Sequence, residues 1–333
     1  MIATSPADIL RFIATRNDEG IAATLVTLTG IEGSSPRAIG AQMAVAEDGR
    51  YLGSFSGGCV EAAVVAEAIE TLADGNARRV RFGAGSPYLD IRLPCGSGID
   101  LLFTPRPSPD AINQILSCLE RREPAVLLLS QEGVRCASPI DNDAATGWRD
   151  DQFLLRFAPT LRILVMGQGE ELTALARLAH AFGADICAMS PDRPALAQLA
   201  IEGIETAELA TRTMLPPVVS DDWTAILSVF HDRDWEEALL PDALRLPGFY
   251  VGAIGSPRTQ RDRRDALDAA GVPRSVGDRL SSSVGLIPAT RDPSMLALSA
   301  LAQIAQEYHA IAARHGAPTN ADAPVSTDAL HTA

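Results

Sequence analysis

Residues 161–189 read LRILVMGQGEELTALARLAHAFGADICAM, and this stretch decides the fold of the second half of the chain. It begins with a nearly continuous apolar run, continues through the tight-turn sequence Gly167-Gln168-Gly169, and then shows the apolar spacing of a helix over 172–182. A second apolar run follows at 184–189. Two buried strands joined by a helix are typical of a βαβ unit in a parallel sheet. We therefore predict a Rossmann-like, doubly wound domain.

The chain beyond this unit continues the same pattern. Residues 225–230 and 249–254 are further apolar runs that read as buried strands, and a last helix is predicted over 295–312. His231 and Asp232 follow the first of these strands, where doubly wound sheets bind ligands. The same residues also suit the start of a helix, with an aspartate as its cap. Both interpretations remain open at this point.

The N-terminal half has a different organisation. Its sequence predicts three helices, one from Ser5, one after Cys59 and one from Pro109. Strands are predicted at 21–29, 42–46, 51–55, 78–82, 99–104 and 125–130. Residues 141–151 are polar and are predicted to form a surface loop. Because 333 residues are long for one hydrophobic core, we predict an α/β protein: an N-terminal α+β domain (1–157), a Rossmann-like domain (158–313) and a disordered tail (314–333).

Composition limits the classes of function. The formal net charge of −14 argues against nucleic acid and anionic membranes as partners. No apolar run approaches the ~20 residues of a membrane span, and the first residues do not resemble a secretory signal. Five scattered cysteines, an odd number without CxxC spacing, favour a reduced, cytoplasmic protein without a zinc site or other metal centre.

Two loops of small residues carry the chemistry that the N-terminal half could perform. Gly33-Ser34-Ser35-Pro36-Arg37 and Ser56-Gly57-Gly58-Cys59 are predicted to face each other across strands. A cysteine at a helix start has its thiolate favoured by unpaired N–H groups, and the N–H groups of Gly57 and Gly58 suit an oxyanion. Arg37 could bind a phosphate or pair with a surface acid. Cys59 could equally be a small, inert residue.

The remaining cysteines divide into two groups. Cys95 lies in the turn sequence Pro94-Cys95-Gly96-Ser97-Gly98, where the turn accounts for the glycines and not for the thiol. Cys118, Cys136 and Cys187 lie in apolar settings and are predicted to be core residues.

The turn Gly167-Gln168-Gly169 matches only part of a dinucleotide-binding fingerprint. The third glycine is replaced by Leu172, and Glu170 and Glu171 stand at the helix start, where they would repel a pyrophosphate. The sequence therefore predicts a Rossmann scaffold with weak or no dinucleotide binding.

Taken together, these segments resemble the XdhC/CoxI family, whose members are accessory proteins of molybdenum hydroxylases. The resemblance rests on Gly33–Arg37, Gly53–Glu61, Pro94–Gly96, the strand from Ile163, His231-Asp232, Tyr250–Arg258 and Val284–Leu286. It implies a cytoplasmic, dimeric chaperone without turnover of its own. Such a chaperone binds molybdenum cofactor, takes part in its sulfuration with a cysteine desulfurase, and passes it to a xanthine-dehydrogenase-type apoenzyme.

The resemblance also implies which residues act. Cys59 and Cys95 are the expected reactive thiols, and the expected cofactor-binding residues are Ser34, Ser35, Arg37, Gly57, Gly58, Gly167, Gly169 and His231. The cofactor is either molybdopterin with its metal or the cytosine dinucleotide form. This chain departs from the family pattern at Glu170, Ser190 and Ile287, so the N-terminal loops are the stronger expectation. Two alternatives are an NAD(P)-dependent oxidoreductase using the Rossmann half and a sulfurtransferase acting through Cys59.

Overall fold

A computed structural model describes residues 5–58, 60–86, 97–137, 145–281, 283–288 and 291–314. The first half contains three helices and nine strands within these ranges. In chain order they are α1 (Pro6–Asp18), β1 (Ala23–Glu32), β2 (Gln42–Ala46), β3 (Tyr51–Gly53), α2 (Glu61–Asp74), β4 (Arg78–Gly83), β5 (Gly98–Pro105), α3 (Pro109–Glu120), β6 (Ala125–Ser130), β7 (Gly133–Cys136), β8 (Gly147–Arg149) and β9 (Gln152–Phe157).

The first sheet is antiparallel and has the strand order β3-β2-β1-β5-β4. Its central strand β1 is buried along seven consecutive residues, because both faces of the sheet are covered. Helices α1 and α3 pack on one face with apolar residues of the second sheet, and α2 packs on the other face. A strand covered on both sides has no wet face, which explains why 21–29 lacks polar alternation.

The second sheet corrects one sequence prediction. Its order is β7-β6-β9-β8, and β8 lies inside the segment 141–151 that the polar composition predicted to be a loop. Trp148 of β8 packs edge-on against Phe153 of β9, with 5.4 Å between ring centroids. The Trp148 contact and the pairing with β9 therefore stabilise β8 as a short edge strand, although its neighbours in the sequence are polar. Residues 141–144 of that prediction lie outside the described ranges.

The second half of the chain forms a parallel sheet with helices on both faces. Its elements are β10 (Arg162–Gly167), α4 (Gly169–Phe182), β11 (Asp185–Ser190), α5 (Arg193–Ile201), β12 (Glu205–Glu208), β13 (Thr224–Val229), α6 (Arg233–Arg245), β14 (Tyr250–Ala253), α7 (Pro257–Ala269), α8 (Arg274–Gly277) and α9 (Pro293–Arg314). The strand order is β12-β11-β10-β13-β14. All four pairings are parallel, so the predicted doubly wound fold is confirmed.

This topology directs all five strand ends to one edge of the third sheet. Helices α4, α5 and α9 cover one face, while α6 and α7 cover the other. The strand order reverses between β10 and β13, and open parallel sheets bind ligands beside such a reversal. The predicted boundary at residue 158 falls between β9 and β10 and remains a prediction, as does the tail, whose residues 315–333 lie outside the described ranges.

Candidate functional site

The loop at Gly33–Arg37 is tied to the segment that follows the predicted Cys95 turn. Gly33 has a φ of +82°, and a Cβ there would lie 3.0 Å from the Ser97 Oγ, so both backbone and space favour glycine. The Ser34 N–H donates to the Ser97 Oγ at 3.1 Å, and the two hydroxyl oxygens are 3.3 Å apart. Ser97, which follows Gly96 and directly precedes β5, is therefore in contact with the first loop. Cys95 itself lies outside the described residues.

Arg37 connects the first predicted loop to the segment directly before the second one. Its backbone N–H donates to the Ser35 Oγ at 3.2 Å, and its Nε donates to the Ser54 carbonyl at 3.0 Å. The side chain is exposed, and no ion pair of Arg37 occurs among the described residues. The guanidinium is thus held at one nitrogen and open to an anion through the others.

Glu61, the first residue of α2, organises the second loop. Its carboxylate accepts six hydrogen bonds, from the N–H groups of Phe55, Ser56, Gly58 and Val60 and from the hydroxyls of Ser54 and Ser56. Burial alone would raise the pKa of this carboxyl. Hydrogen bonds from the Ser56 N–H, the Ser54 and Ser56 hydroxyls and its own backbone outweigh that effect and lower the pKa to about 2. Glu61 is therefore an ionised, buried acceptor that holds the whole loop.

This arrangement changes the role expected for Gly57 and Gly58. The Gly58 N–H donates to the Glu61 carboxylate at 2.7 Å, and the Gly57 N–H donates to the Ser54 Oγ at 3.1 Å. Both N–H groups are occupied inside the loop, so neither is open to the oxyanion that the sequence suggested. Both glycines have positive φ, and a Cβ at either would meet nothing within 4 Å. Their positive φ angles allow the backbone of this loop to turn. Their predicted contact with the cofactor remains a prediction.

The chain neighbours of Cys59 are both fixed by the same carboxylate. Glu61 Oε2 lies 2.7 Å from the Gly58 nitrogen and 3.2 Å from the Val60 nitrogen. Cys59 lies outside the described residues, so its predicted reactivity remains a prediction. Two described cysteines provide a contrast: burial raises the pKa of Cys136, and burial and then the Glu205 and Asp185 carboxylates raise the pKa of Cys187 to about 12.

In the second half, the turn after β10 is closed by the protein's own groups. A Cβ on Gly167 would lie 2.3 Å from the Val229 Cγ2, so this glycine allows two strands to pack. Gly169 has a φ of +79° and begins α4. Glu171, in the first turn of α4, lies 2.9 Å from the His231 Nε2. Burial opposes ionisation of Glu171, but the His231 hydrogen bond and its own backbone lower its pKa. Gly169 and His231 thus lie beside the Glu171 carboxylate, whereas Gly167 packs against Val229; their predicted contact with the cofactor remains a prediction.

A larger concavity lies beside this turn, at the carboxyl ends of β13 and β14. This concavity, which we call the α7 cleft, has a volume of about 1010 Å³. It is lined by Phe230, His231, Arg233 and Glu236, by Ile254–Ser256, by Thr259, Gln260 and Arg263 of α7, by 283–288, and by Arg291, Leu296 and Ser299. The buried pair Arg263 and Glu236 forms part of its wall, with Nη2 and Oε2 2.7 Å apart. Asp232 caps α6 by accepting from the Asp234 N–H, which confirms its predicted capping role.

Neither a cluster of metal ligands nor a membrane-spanning helix occurs within the described ranges. No group of three or more histidine, cysteine, aspartate or glutamate side chains there could hold a metal ion. Nor does any helix in that part of the chain have the length and apolar character that crossing a membrane requires.

Comparison with known proteins places both regions in one family. A family model described as the XdhC and CoxI family matches residues 17–83, and a model described as the XdhC Rossmann domain matches 163–304. The molybdenum cofactor insertion chaperone PaoD of Escherichia coli (strain K12) is 37% identical over 299 residues, which are 89% of this chain and 87% of PaoD. The chain belongs to the XdhC and CoxI family.

This XdhC/CoxI protein also shares its fold with a solved structure. A Bacillus halodurans protein described as a xanthine dehydrogenase superposes with a TM-score of 0.71 over 90% of this chain and 96% of that one, at 20% identity. At that identity the likeness shows the fold alone. It agrees with the antiparallel and parallel sheets found here.

Two features of this XdhC/CoxI protein were missed by sequence reasoning. Glu61 was part of a recognised motif but received no role; its signal was a glutamate at a helix start directly after a loop of serines and glycines. The α7 cleft was missed because its wall comes from four separated segments. Its one local signal was Gly255-Ser256-Pro257-Arg258, a glycine, a cap and a first-turn proline at the end of a buried strand.

Proposed function

We propose that this chain is a maturation factor that binds molybdenum cofactor, assists its sulfuration and inserts it into a xanthine-dehydrogenase-type molybdenum hydroxylase. The proposal draws on the likeness to PaoD, a molybdenum cofactor insertion chaperone, along most of both chains. The partners proposed with it are the hydroxylase apoenzyme, a cysteine desulfurase as sulfur source and a second copy of the chain, and the proposed location is the cytoplasm. The cofactor is cargo, bound and released.

One observation carries the proposal: the first predicted loop, which holds an exposed cation, contacts the segments next to the other two predicted loops. Ser34 contacts Ser97, Arg37 contacts Ser54, and Glu61 fixes the loop that leads to Cys59. The cargo carries a phosphate and a metal bound by oxygen and sulfur. Hydroxyl groups and an Arg guanidinium suit the phosphate, and a thiolate suits the metal end. We assign Ser34, Ser35 and Arg37 to the phosphate, and Cys59 with Cys95 to the metal end.

The rival oxidoreductase function has less support. A nicotinamide dinucleotide would place its pyrophosphate at the start of α4, where Glu170 and Glu171 stand. Glu171 is ionised and bonded to His231. A bound pyrophosphate would have to displace that contact and accept the repulsion of two carboxylates.

Arg37→Ala tests the phosphate assignment. Losing a charge-assisted hydrogen bond of roughly 1.5–3 kcal/mol should weaken cofactor retention about ten-fold or more. The melting temperature should stay near that of the wild type, because the side chain is exposed. Arg50→Ala is the matched control, since Arg50 is exposed and pairs only with Asp48 in its own turn among the described residues. Equal retention by all three proteins would remove Arg37 from the site.

Alkylation of Cys59 tests the metal end. We expect iodoacetamide to label Cys59 near neutral pH faster than Cys136 or Cys187, whose pKa values are raised by burial. Bound cofactor should protect Cys59, and Cys59→Ala should fail to activate the hydroxylase. An unreactive Cys59 whose alanine variant loads cofactor would leave the site to the serines and Arg37. A stable persulfide on Cys59 after treatment with a cysteine desulfurase would instead favour the sulfurtransferase alternative.

A further inference from the structure

We infer that the α7 cleft binds the phosphate-bearing end of a flat heterocyclic ligand, with the phosphate facing α7 and the ring between apolar walls. The inference rests on the proposed function, because the ligand it names is one end of the cofactor. It assigns a second contact region to the Rossmann half, beside the turn after β10. The shared chemistry, a phosphate ester on a flat ring, fits either the pterin end or a nucleotide end.

Size and position favour a ligand of this kind. The cleft holds about 1010 Å³, at the upper end of the range typical for small-molecule sites. It lies outside the carboxyl ends of β13 and β14, at the edge where open parallel sheets bind ligands. Its residues belong to the segment 163–304 that matches the XdhC Rossmann domain.

The charge of the cleft is opposite to that of the protein. The chain carries a net charge of −14, yet the cleft is lined by Arg233, Arg263 and Arg291 and by a single carboxylate, Glu236. Arg263 and Glu236 neutralise each other. Arg233 forms ion pairs with Glu237 at 3.3 Å and with Asp262 at 3.5 Å, whereas Arg291 has no ion pair among the described residues. The unpaired charge of the lining is therefore the Arg291 guanidinium, which favours an anion.

The groups facing the cleft from α7 can recognise a phosphate. Ser256 and Thr259 both line it. Their hydroxyls share one hydrogen bond of 2.9 Å, and the Ser256 Oγ caps α7 by accepting from the Thr259 N–H. One hydroxyl hydrogen of the pair is left for a ligand. Helix α7 has thirteen residues and no acidic residue in its first turn, where Arg258 stands. A hydroxyl donor, a positive helix end and arginines together suit a phosphate better than a carboxamide or a neutral sugar.

The buried ion pair holds this wall in place. The Arg263 side chain is 3% exposed, and besides Glu236 it donates to the Ile254 carbonyl at 2.8 Å and the Ala253 carbonyl at 3.4 Å. A buried pair contributes little net stability compared with apolar residues of similar size. Its contacts fix the last residues of β14 directly before Gly255 and Ser256. We infer that it positions the phosphate-facing turn.

The opposite walls are apolar and can cover a ring. Phe230, Val284 and Leu296 line the cleft, and Phe230 stacks on Trp235 with 5.9 Å between centroids and an angle of 6° between the rings. Flat heterocycles gain from contact with such aromatic and aliphatic surfaces. Inorganic phosphate lacks a ring and should therefore bind more weakly than a phosphorylated heterocycle.

The test titrates the full-length protein with defined probes in a calorimeter. The probes are the four common nucleoside diphosphates, hydroxymethylpterin phosphate and inorganic pyrophosphate. We expect saturable binding of at least one ring-bearing probe and weaker binding of pyrophosphate. Arg291→Glu should lower the affinity roughly ten-fold or more, because its guanidinium lines the cleft and has no ion pair among the described residues. Arg258→Glu, in the first turn of α7 but outside the lining, should lower it less. Arg264→Glu, a charge reversal on α7 outside the cleft lining, should leave the affinity unchanged.

The outcomes separate the two proposals. Binding of a nucleoside diphosphate assigns the nucleotide end to the cleft, and binding of the pterin phosphate alone assigns the pterin end. Cofactor retention by the wild type without binding of any ring-bearing probe overturns the cleft inference and leaves the proposed function intact. Equal binding by the wild type, Arg291→Glu and Arg264→Glu also overturns it. Failure of the wild type to retain cofactor, with variant-sensitive binding of a probe, overturns the proposed function and keeps the cleft as a site.

Discussion

Helices α2 and α7 both begin at loops of serine and glycine, but they differ in what faces their positive ends. Helix α2 begins with Glu61, whose carboxylate turns back and takes the N–H groups of the preceding loop. Helix α7 begins after Ser256, carries Arg258 in its first turn and has no acid there. The positive end of α2 is therefore neutralised by the protein's own Glu61, while the start of α7 faces the α7 cleft.

The difference shows how one local motif can serve two purposes. An acid in the first turn satisfies the helix dipole and fixes the loop, so it stabilises structure. A start without an acid keeps its field available for a bound anion. Helix α4 belongs with α2, because Glu171 occupies its first turn and bonds His231. Phosphate should therefore be sought at α7 and at the exposed Arg37.

The largest expected effect comes from removing the internal acid. Glu61→Ala leaves four N–H groups and two hydroxyls without their acceptor, and it should lower the free energy of unfolding by roughly 3–5 kcal/mol. The measurement is urea unfolding at pH 7, with Glu70→Ala as the control on the same helix. Glu70 is 68% exposed and lies 3.6 Å from Arg78, so its loss should be small. Equal stability of the two variants would show that Glu61 does not hold the loop.

Acidification should remove the same contribution without a mutation. The folded-state pKa of Glu61, about 2, lies below its ordinary value of 4.5. The stabilisation is therefore complete above about pH 4.5 and is lost as the pH falls towards 2. Since one pKa unit is worth about 1.4 kcal/mol, the loss should be about 3 kcal/mol.

The measurement is the difference in unfolding free energy between the wild type and Glu61→Gln from pH 7 to pH 2. That difference should stay constant above pH 5 and shrink below it. Glu202→Gln is the comparison: its carboxylate also has a pKa of about 2, lowered by Arg177 and then Gln198, but it lies on the surface. Its pH-dependent difference should be smaller. If the difference in unfolding free energy between the wild type and Glu61→Gln did not change with pH, the ionised carboxylate would not be the source of the loop's stability.

The sequence predicted most of the fold because its strong signals are local. The parallel strands β10, β11, β13 and β14 are apolar runs bounded by turns, and their buried positions confirm that interpretation. Strand β9, mostly buried between β6 and β8, was missed. The other misses were the short edge strands β7, β8 and β12, and the exposed, polar residues of β8 and β12 carry little periodic signal. Such strands form because a longer partner strand offers its edge, which a local pattern does not contain.

The candidate site was less predictable for a related reason. Residue types at Ser34, Arg37 and Cys59 indicated chemistry, but the contacts that arrange Ser34 and Arg37 join residues distant in sequence, as between Ser34 and Ser97. The sequence also suggested free N–H groups at Gly57 and Gly58, where the structure shows an internal acceptor. A helix start is open to a ligand only if no nearby carboxylate accepts hydrogen bonds from its N–H groups. The orientation of such a carboxylate is not determined by composition alone.

The smallest expected effect reverses the character of α7. Arg258→Glu places a carboxylate in the first turn, as Glu61 does in α2, and should raise the free energy of unfolding by about 0.5 kcal/mol through the helix dipole. Repulsion from Asp262, four residues on, opposes part of this gain. Arg264→Glu changes the net charge equally but lies in the middle of α7, so it should give no such gain. The measurement is the urea midpoint of both variants against the wild type, paired with their affinity for the ring-bearing phosphate. Higher stability with weaker binding for Arg258→Glu alone would show that the open helix start is kept for a ligand. A loss of stability in Arg258→Glu, or an equal gain in Arg264→Glu, would show that the helix dipole does not favour an acid at the start of α7.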